Sequence, residues 1–336
     1  MRRLLLAGFC LLWMALSAHA QSALTVHFAS PAEGRKILTE GAEAQYYEAL
    51  QMGDLRAKSK LALQGLSLAA ARTQVRAKFA EDVQAFSAEE EAMLRSVLER
   101  LAPKIAKFPL MARTPFSFVK TGTSVEAGIP HTRGTSIVLA PTELNSMLRM
   151  YRWGWTSILD QMAGPLLVHE QVHVLQRAYP ERFFSLYTSL LGFRRLDTLP
   201  DHPWLVAHRV VNPDATDLRW AYGFVDNGKQ RWIRSDLMLR VLEEPDMVDD
   251  TRTVGLDLIE KDGVFNVAVD EKGLPQMQDL KQIKDYQARF PSPTNSYHPQ
   301  EISADLIAGW ITGNQEGNAK HPLRGKIGAW VLAHFQ

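Results

Sequence analysis

The sequence predicts an α+β fold, and three observations predict it. Residues 38–108 are rich in helix formers with an apolar stripe at helical spacing. Residues 114–140 and 208–269 carry β-favouring residues separated by glycine-containing turns. Two segments, beginning near Pro165 and at Pro299, then return to helical spacing.

The chain opens Met1-Arg2-Arg3 and runs from Leu4 to Leu16 with almost no polar residue. Ser17-Ala18-His19-Ala20 follows, with small residues at the A-x-A positions. These features predict a secretory signal peptide over residues 1–20, with cleavage after Ala20 and a periplasmic or secreted product. The apolar run is too short for a comfortable membrane span, so no stable insertion of the mature chain is expected. Cys10, inside that run, is the only cysteine. Disulfides and cysteine metal sites are thereby excluded from the remainder. Of 38 basic side chains two lie in the leader, which leaves 36 against 37 acidic ones. That balance does not point to a nucleic-acid partner.

Residues 21–36 read as irregular and exposed, and 21–112 as a helical N-terminal region. Within it Ser87-Ala88-Glu89-Glu90 forms a capping box ahead of Leu94, Val97, Leu98 and Leu101. Strands follow at Phe116, Phe118 and Ile137-Val138-Leu139, around a loop containing Gly122, Gly128 and Gly134. Thr135 to Leu139 is a candidate edge strand, able to hold an extended peptide by backbone hydrogen bonds. Residues 142–162 read as a helix with Tyr151, Trp153 and Trp155, and Pro165 as the first turn of the next. Arg182 to Arg195 reads as another helix. Two hairpins are expected within a β-rich insert over about 205–270. One turns at Asn227-Gly228 and one at Asp262-Gly263. Asn212-Pro213-Asp214 reads as a simple turn. Pro291, Pro293 and Asn295 mark the loop before the Pro299 helix, and Lys326 to Phe335 reads as a final helix.

His169-Glu170-Gln171-Val172-His173 carries the chemistry. Two histidines four apart share one helix face and can grip one metal ion. Glu170, beside the first, can take a proton from a water that the metal has made acidic. A catalytic zinc normally has three protein ligands. Gln176 and Tyr179 occupy the positions where H-E-x-x-H-x-x-G-x-x-H would need glycine and a third histidine, so that pattern is excluded. A later carboxylate is required. Glu301 and Asp305 share one face of the Pro299 helix, while Ile302, Leu306 and Trp310 form another. They offer one ligand and one supporting carboxylate. Glu243, Glu244 and Glu260 are competing ligands.

With these two motifs the chain resembles the gluzincin group of zinc metallopeptidases, to which thermolysin belongs. The resemblance covers His169-Glu170-x-x-His173 and Glu301-x-x-Ala304-Asp305, two helices and no more. It implies a zincin-like metallopeptidase region over 113–336, in which a small sheet precedes the motif helix and a β insert precedes the second. It implies one Zn2+ ligated by His169, His173 and Glu301, Glu170 as general base, and Asp305 as partner of a ligand histidine. The expected substrate is a peptide or protein. Tyr297, His298 and His321 are candidate oxyanion stabilisers. Two alternatives stand beside it: a zinc-stabilised structural or binding protein, and a zinc hydrolase of a non-peptide amide.

Overall fold

The computed structural model describes residues 24–226, 228–291, 296–313 and 321–336. The expected signal peptide, Asn227, Pro293 and Asn295 lie outside them. Among the described residues no helix is long and apolar enough to cross a membrane. The architecture is mixed α and β, with two sheets among the described residues.

The described chain begins with order rather than with the irregular segment expected. Strand β1 (Val26–Phe28) leads to α1 (Pro31–Thr39), whose N-cap Ser30 and Glu33 complete a capping box. The signal lay in Ser30-Pro31-Ala32-Glu33, a cap followed by a proline at the first helical position. Helices α2 (Glu43–Ala49), α3 (Met52–Ser59) and α4 (Leu68–Glu81) follow, then β2 (Val83–Gln84). Helix α5 (Ala88–Ile105) starts at the expected Ser87–Glu90 capping box and buries Leu94, Val97, Leu98 and Leu101. The short α6 (Pro109–Arg113) leads into β3 (Phe116–Thr121).

Strands β4 (His131–Arg133) and β5 (Ser136–Leu139) complete the first sheet, in the order β1-β3-β5-β4 with β2 added against β3. The expected edge strand is therefore internal: β5 pairs with β3 in parallel and with β4 antiparallel. All four of its residues are buried, as its continuous apolar run requires. The edge belongs to β4.

Helix α7 (Pro141–Arg152) ends at Trp153, and Gly154 takes a left-handed conformation. Trp153 and Trp155 lie exposed and packed edge-on, not in the core. The motif helix α8 (Thr156–Ala178) starts well before Pro165, which sits inside it. A proline there forfeits one backbone bond, and tertiary packing outweighs that loss. Gly164 faces Leu101 of α5, where a Cβ would sit 3.4 Å from Leu101 Cδ2, so the two helices approach closely. The expected 182–195 helix is α9 (Pro180–Ser185), a π turn (Leu186–Leu190) and β6 (Phe193–Arg195).

The second sheet is antiparallel. After α10 (Pro203–His208) come β7 (Arg209–Val210), β8 (Trp220–Asp226), β9 (Lys229–Leu239), β10 (Thr251–Lys261), β11 (Val264–Val267) and β12 (Met277–Asp279). Their order is β11-β10-β9-β8-β6, with β12 on β10 and β7 on β9. Both expected hairpins are present. Asp262 and Gly263 both adopt positive φ, as a tight twist-matched turn demands. The chain closes with α11 (Lys284–Arg289), α12 (Pro299–Thr312) and α13 (Arg324–His334). Helix α12 packs along α8, and the largest apolar cluster joins both to α5, β3 and β5.

A buried ionic network ties the N-terminal helices to this core. Lys58 of α3 lies 3.0 Å from Glu126 and 3.3 Å from Asp54. Arg133 of β4 bonds Glu126 at 2.8 Å and Glu43 of α2 at 3.0 Å. Arg177 of α8 bonds Glu43 at 2.7 Å. Burial raises Asp54 to about 6, against the pull of Lys58. Removing one member of such a network strands the others as uncompensated charges. Lys58→Met should therefore lower stability by about 3–5 kcal/mol in urea denaturation. A loss under about 1 kcal/mol would show that the network contributes little.

Candidate metal centre

Helices α8 and α12 together build the centre. His169 and His173 are one turn apart on α8, and Glu301 projects from the first turn of α12. All three are buried, and one ligand atom from each lies within 4.8 Å of the others. His169 Nε2 is 3.3 Å from Glu301 Oε2, and His173 Nε2 is 3.5 Å from Glu301 Oε1. The two Nε2 atoms are 3.0 Å apart. Glu243, Glu244 and Glu260 are exposed, and Glu260 pairs with Arg194. Glu301 is the later carboxylate that meets the imidazoles.

The far side of each ring decides what its Nε2 can do. His169 Nδ1 is 2.8 Å from Asp305 Oδ1. His173 Nδ1 is 2.8 Å from Gln176 Oε1. The Gln176 amide is itself oriented, because its nitrogen donates to Gln300 O at 3.0 Å and Ser303 Oγ at 2.9 Å. Both Nδ1 atoms face acceptors and so carry the ring protons when the rings are neutral. Both Nε2 atoms then present lone pairs to each other and to a carboxylate. Three electron-rich atoms facing inward repel unless a cation or a proton lies between them. The residues fit a divalent metal.

Charge in the metal-free centre follows the same logic. Burial opposes protonation of His169, yet hydrogen bonds to Asp305 and Glu301 outweigh it and hold its pKa well above the ordinary value. Burial also opposes protonation of His173, but Glu301 and Asp214 raise it. Glu301 is driven well below the usual carboxylate range, since the two imidazoles overcome its burial. Glu170 moves the other way: burial, reinforced by the Asp214 carboxylate, pushes it up to about 7.

A cleft of about 810 Å³ opens beside these groups. His169, Glu170, Glu301 and Asp305 line it, with apolar walls that include Leu166, Leu237 and Ile302. Of the candidate oxyanion stabilisers, two reach the cleft. Tyr297 lines it, and its hydroxyl accepts a hydrogen bond from Asn212. His321 also lines it; Nδ1 accepts from Leu323 N at 3.2 Å, so its hydrogen sits on Nε2. Burial and nearby Arg289 lower His321 to about 4, which keeps it neutral at pH 7. His298 does not serve this purpose. It caps α12, accepting from Gln300 N, and its Nε2–H points to Asp217 O at 3.0 Å.

Four further residues belong to the site, and motif reading did not find them. Gln176 fixes the His173 ring. Thr132 of β4 donates its hydroxyl to Glu170 Oε2 at 3.1 Å. Asn212 donates to Glu301 Oε1 at 2.7 Å. Asp214 accepts from Thr132 N at 2.8 Å. Asn212 and Asp214 form the turn that the sequence presented as ordinary, and only Gln176 carried a local sign, three residues beyond His173 on the same helix face.

Comparison with known proteins finds no matching family profile, no significant match among curated proteins and none among solved structures.

Two outcomes test the centre. Asp305→Ala should weaken zinc binding about 10–100-fold in competition against a chelator, because the His169 ring loses its anchor. Unchanged affinity would remove Asp305 from the site. Zinc uptake should also release protons. The raised pKa of folded His169 stabilises the metal-free fold below the unfolded value of about 6.5, and this is lost as pH rises through the folded value. Zinc requires the neutral ring, so binding at pH 7 expels protons. The calorimetric enthalpy should vary with the buffer's ionisation enthalpy, and a buffer-independent value would contradict this.

Proposed function

We propose that this protein is an exported, zincin-like, zinc-dependent metallopeptidase. One observation carries the reading: two imidazole lone pairs and one carboxylate turn toward a single point at the wall of an open cleft, with a second carboxylate beside them. Two imidazoles and a carboxylate are a usual catalytic zinc set, which leaves room for water or substrate. A structural site would be expected to enclose its metal with a fourth protein ligand, and the neighbouring cleft favours catalysis instead.

Zinc held by His169, His173 and Glu301 would polarise the scissile carbonyl and make a water acidic near pH 7. Asp305 and Gln176 hold the imidazoles in the tautomer that presents Nε2. Asn212 holds the Glu301 carboxylate by one oxygen. Glu170 acts as general base, taking the proton of the attacking water and passing it to the leaving amine. Thr132 fixes Glu170 Oε2 and so aims the carboxylate. Without a metal, burial lifts Glu170 to about 7; a bound cation would pull it down and leave the carboxylate ionised, ready to take the water's proton. The hydroxyl of Tyr297, which shares the Asn212 amide with Glu301, would supply a donor for the developing oxyanion, and His321 lines the same cleft.

Glu170→Gln tests the reading. The variant should keep one zinc per chain and lose peptide hydrolysis by about 10²–10⁴-fold. Retained activity would contradict the assigned base. A panel that includes non-peptide amides separates a peptidase from a hydrolase of other amides.

A further inference from the structure

We propose that Asp214 selects the substrate by binding a free, cationic α-amino group next to the amide to be cut, so that the protein is an amino-terminal exopeptidase. This rests on reading the cleft as the hydrolytic site.

Asp214 is only 6% exposed, yet it lines the cleft. Its Oδ1 accepts the Thr132 N–H at 2.8 Å. Among the described residues it makes no ion pair with Lys or Arg, and its second oxygen has no hydrogen-bond partner. A carboxylate buried in this way is costly unless something cationic meets it. Among the described residues no Lys or Arg lines the cleft. Of the other carboxylates there, Glu126 is matched by Lys58 and Arg133. Glu301 faces the two imidazoles, and Asp305 faces His169. Glu170 is held by Thr132. Asp214 interacts electrostatically with the His131 and His173 imidazoles, but among the described residues no permanently charged cation pairs with it.

Its position says where that cation would sit. Thr132 donates its N–H to Asp214 and its hydroxyl to Glu170, so one residue separates Asp214 from the proposed base. An amine held by Asp214 would therefore belong to the residue at the scissile amide.

The usual alternative is closed. The edge strand β4 turns the N–H and C=O of Thr132 outward, but Asp214 and Arg177 already occupy them. Upstream, Pro130 has no N–H, and the C=O of Ile129 accepts from His131 Nδ1 at 2.8 Å. A long peptide cannot extend this sheet along that edge. Recognition through a chain terminus needs no such edge.

The test measures binding first, on the full-length zinc-loaded protein with Glu170→Gln to stop turnover. Leucylglycylglycinamide and its N-acetyl counterpart are titrated by calorimetry, then again with Asp214→Asn added. The free amine should bind about tenfold or more tightly than the acetylated form, and Asp214→Asn should erase the difference while leaving the acetylated peptide unaffected. Equal binding of the two peptides, or no binding of either, overturns the proposal without recourse to the variant. A preference that survives Asp214→Asn in a folded variant overturns it too. Turnover by the unmodified chain is read separately. Cleavage without amine preference sinks this proposal and leaves the hydrolase reading. Amine preference without cleavage of any amide supports Asp214 and sinks the hydrolase reading.

Discussion

The centre depends on where two ring protons are held. Asp305 takes the Nδ1–H of His169, and Gln176 takes that of His173. With those protons facing outward, the Nε2 lone pairs have no choice but to face inward, toward Glu301. Only the packing of α12 along α8 makes this possible, because Asp305 and Glu301 are on one helix, His169 and His173 on the other. Gln176 spans both, bonding His173 on its own helix and Gln300 and Ser303 across the gap. The centre and the helix–helix interface are thus one structure.

Around it the protein buries an unusual amount of charge and resolves most of it by pairing. Lys58, Glu126, Arg133, Glu43 and Arg177 form a chain of ion pairs running from α3 to α8. That chain passes through β4, whose Thr132 touches both Glu170 and Asp214. The N-terminal helices therefore brace the strand that aims the proposed base. Asp214 lines the cleft with one hydrogen bond from Thr132 and, among the described residues, no Lys or Arg partner.

Local signals were legible in the sequence where one helix contains the whole pattern. The histidine pair, the adjacent Glu170, the Glu301–Asp305 spacing and the Ser87 capping box all follow from neighbours within one turn. The hairpin at Asp262-Gly263 followed from backbone demands that few residues meet. What failed depended on distant partners. Pro165 reads as a helix start, but packing of α8 against α5 and α12 carries the helix through it. Ile137-Val138-Leu139 reads as strand without revealing its neighbours, and its position between β3 and β4 is a fact of topology. Asn212 and Asp214 look like turn formers because they are, with Asn212 Oδ1 accepting from Asp214 N at 2.9 Å. Their contacts with Glu301 and Thr132 lie 80 or more residues away in the chain and leave no local trace.

Anomalous diffraction at the zinc edge, from crystals of the zinc-loaded protein, tests the central claim most directly. The account predicts one strong peak per chain, about 2.0–2.2 Å from the Nε2 atoms of His169 and His173 and from a Glu301 oxygen. A peak bound elsewhere, or none with Glu301 still facing the two rings, would contradict it.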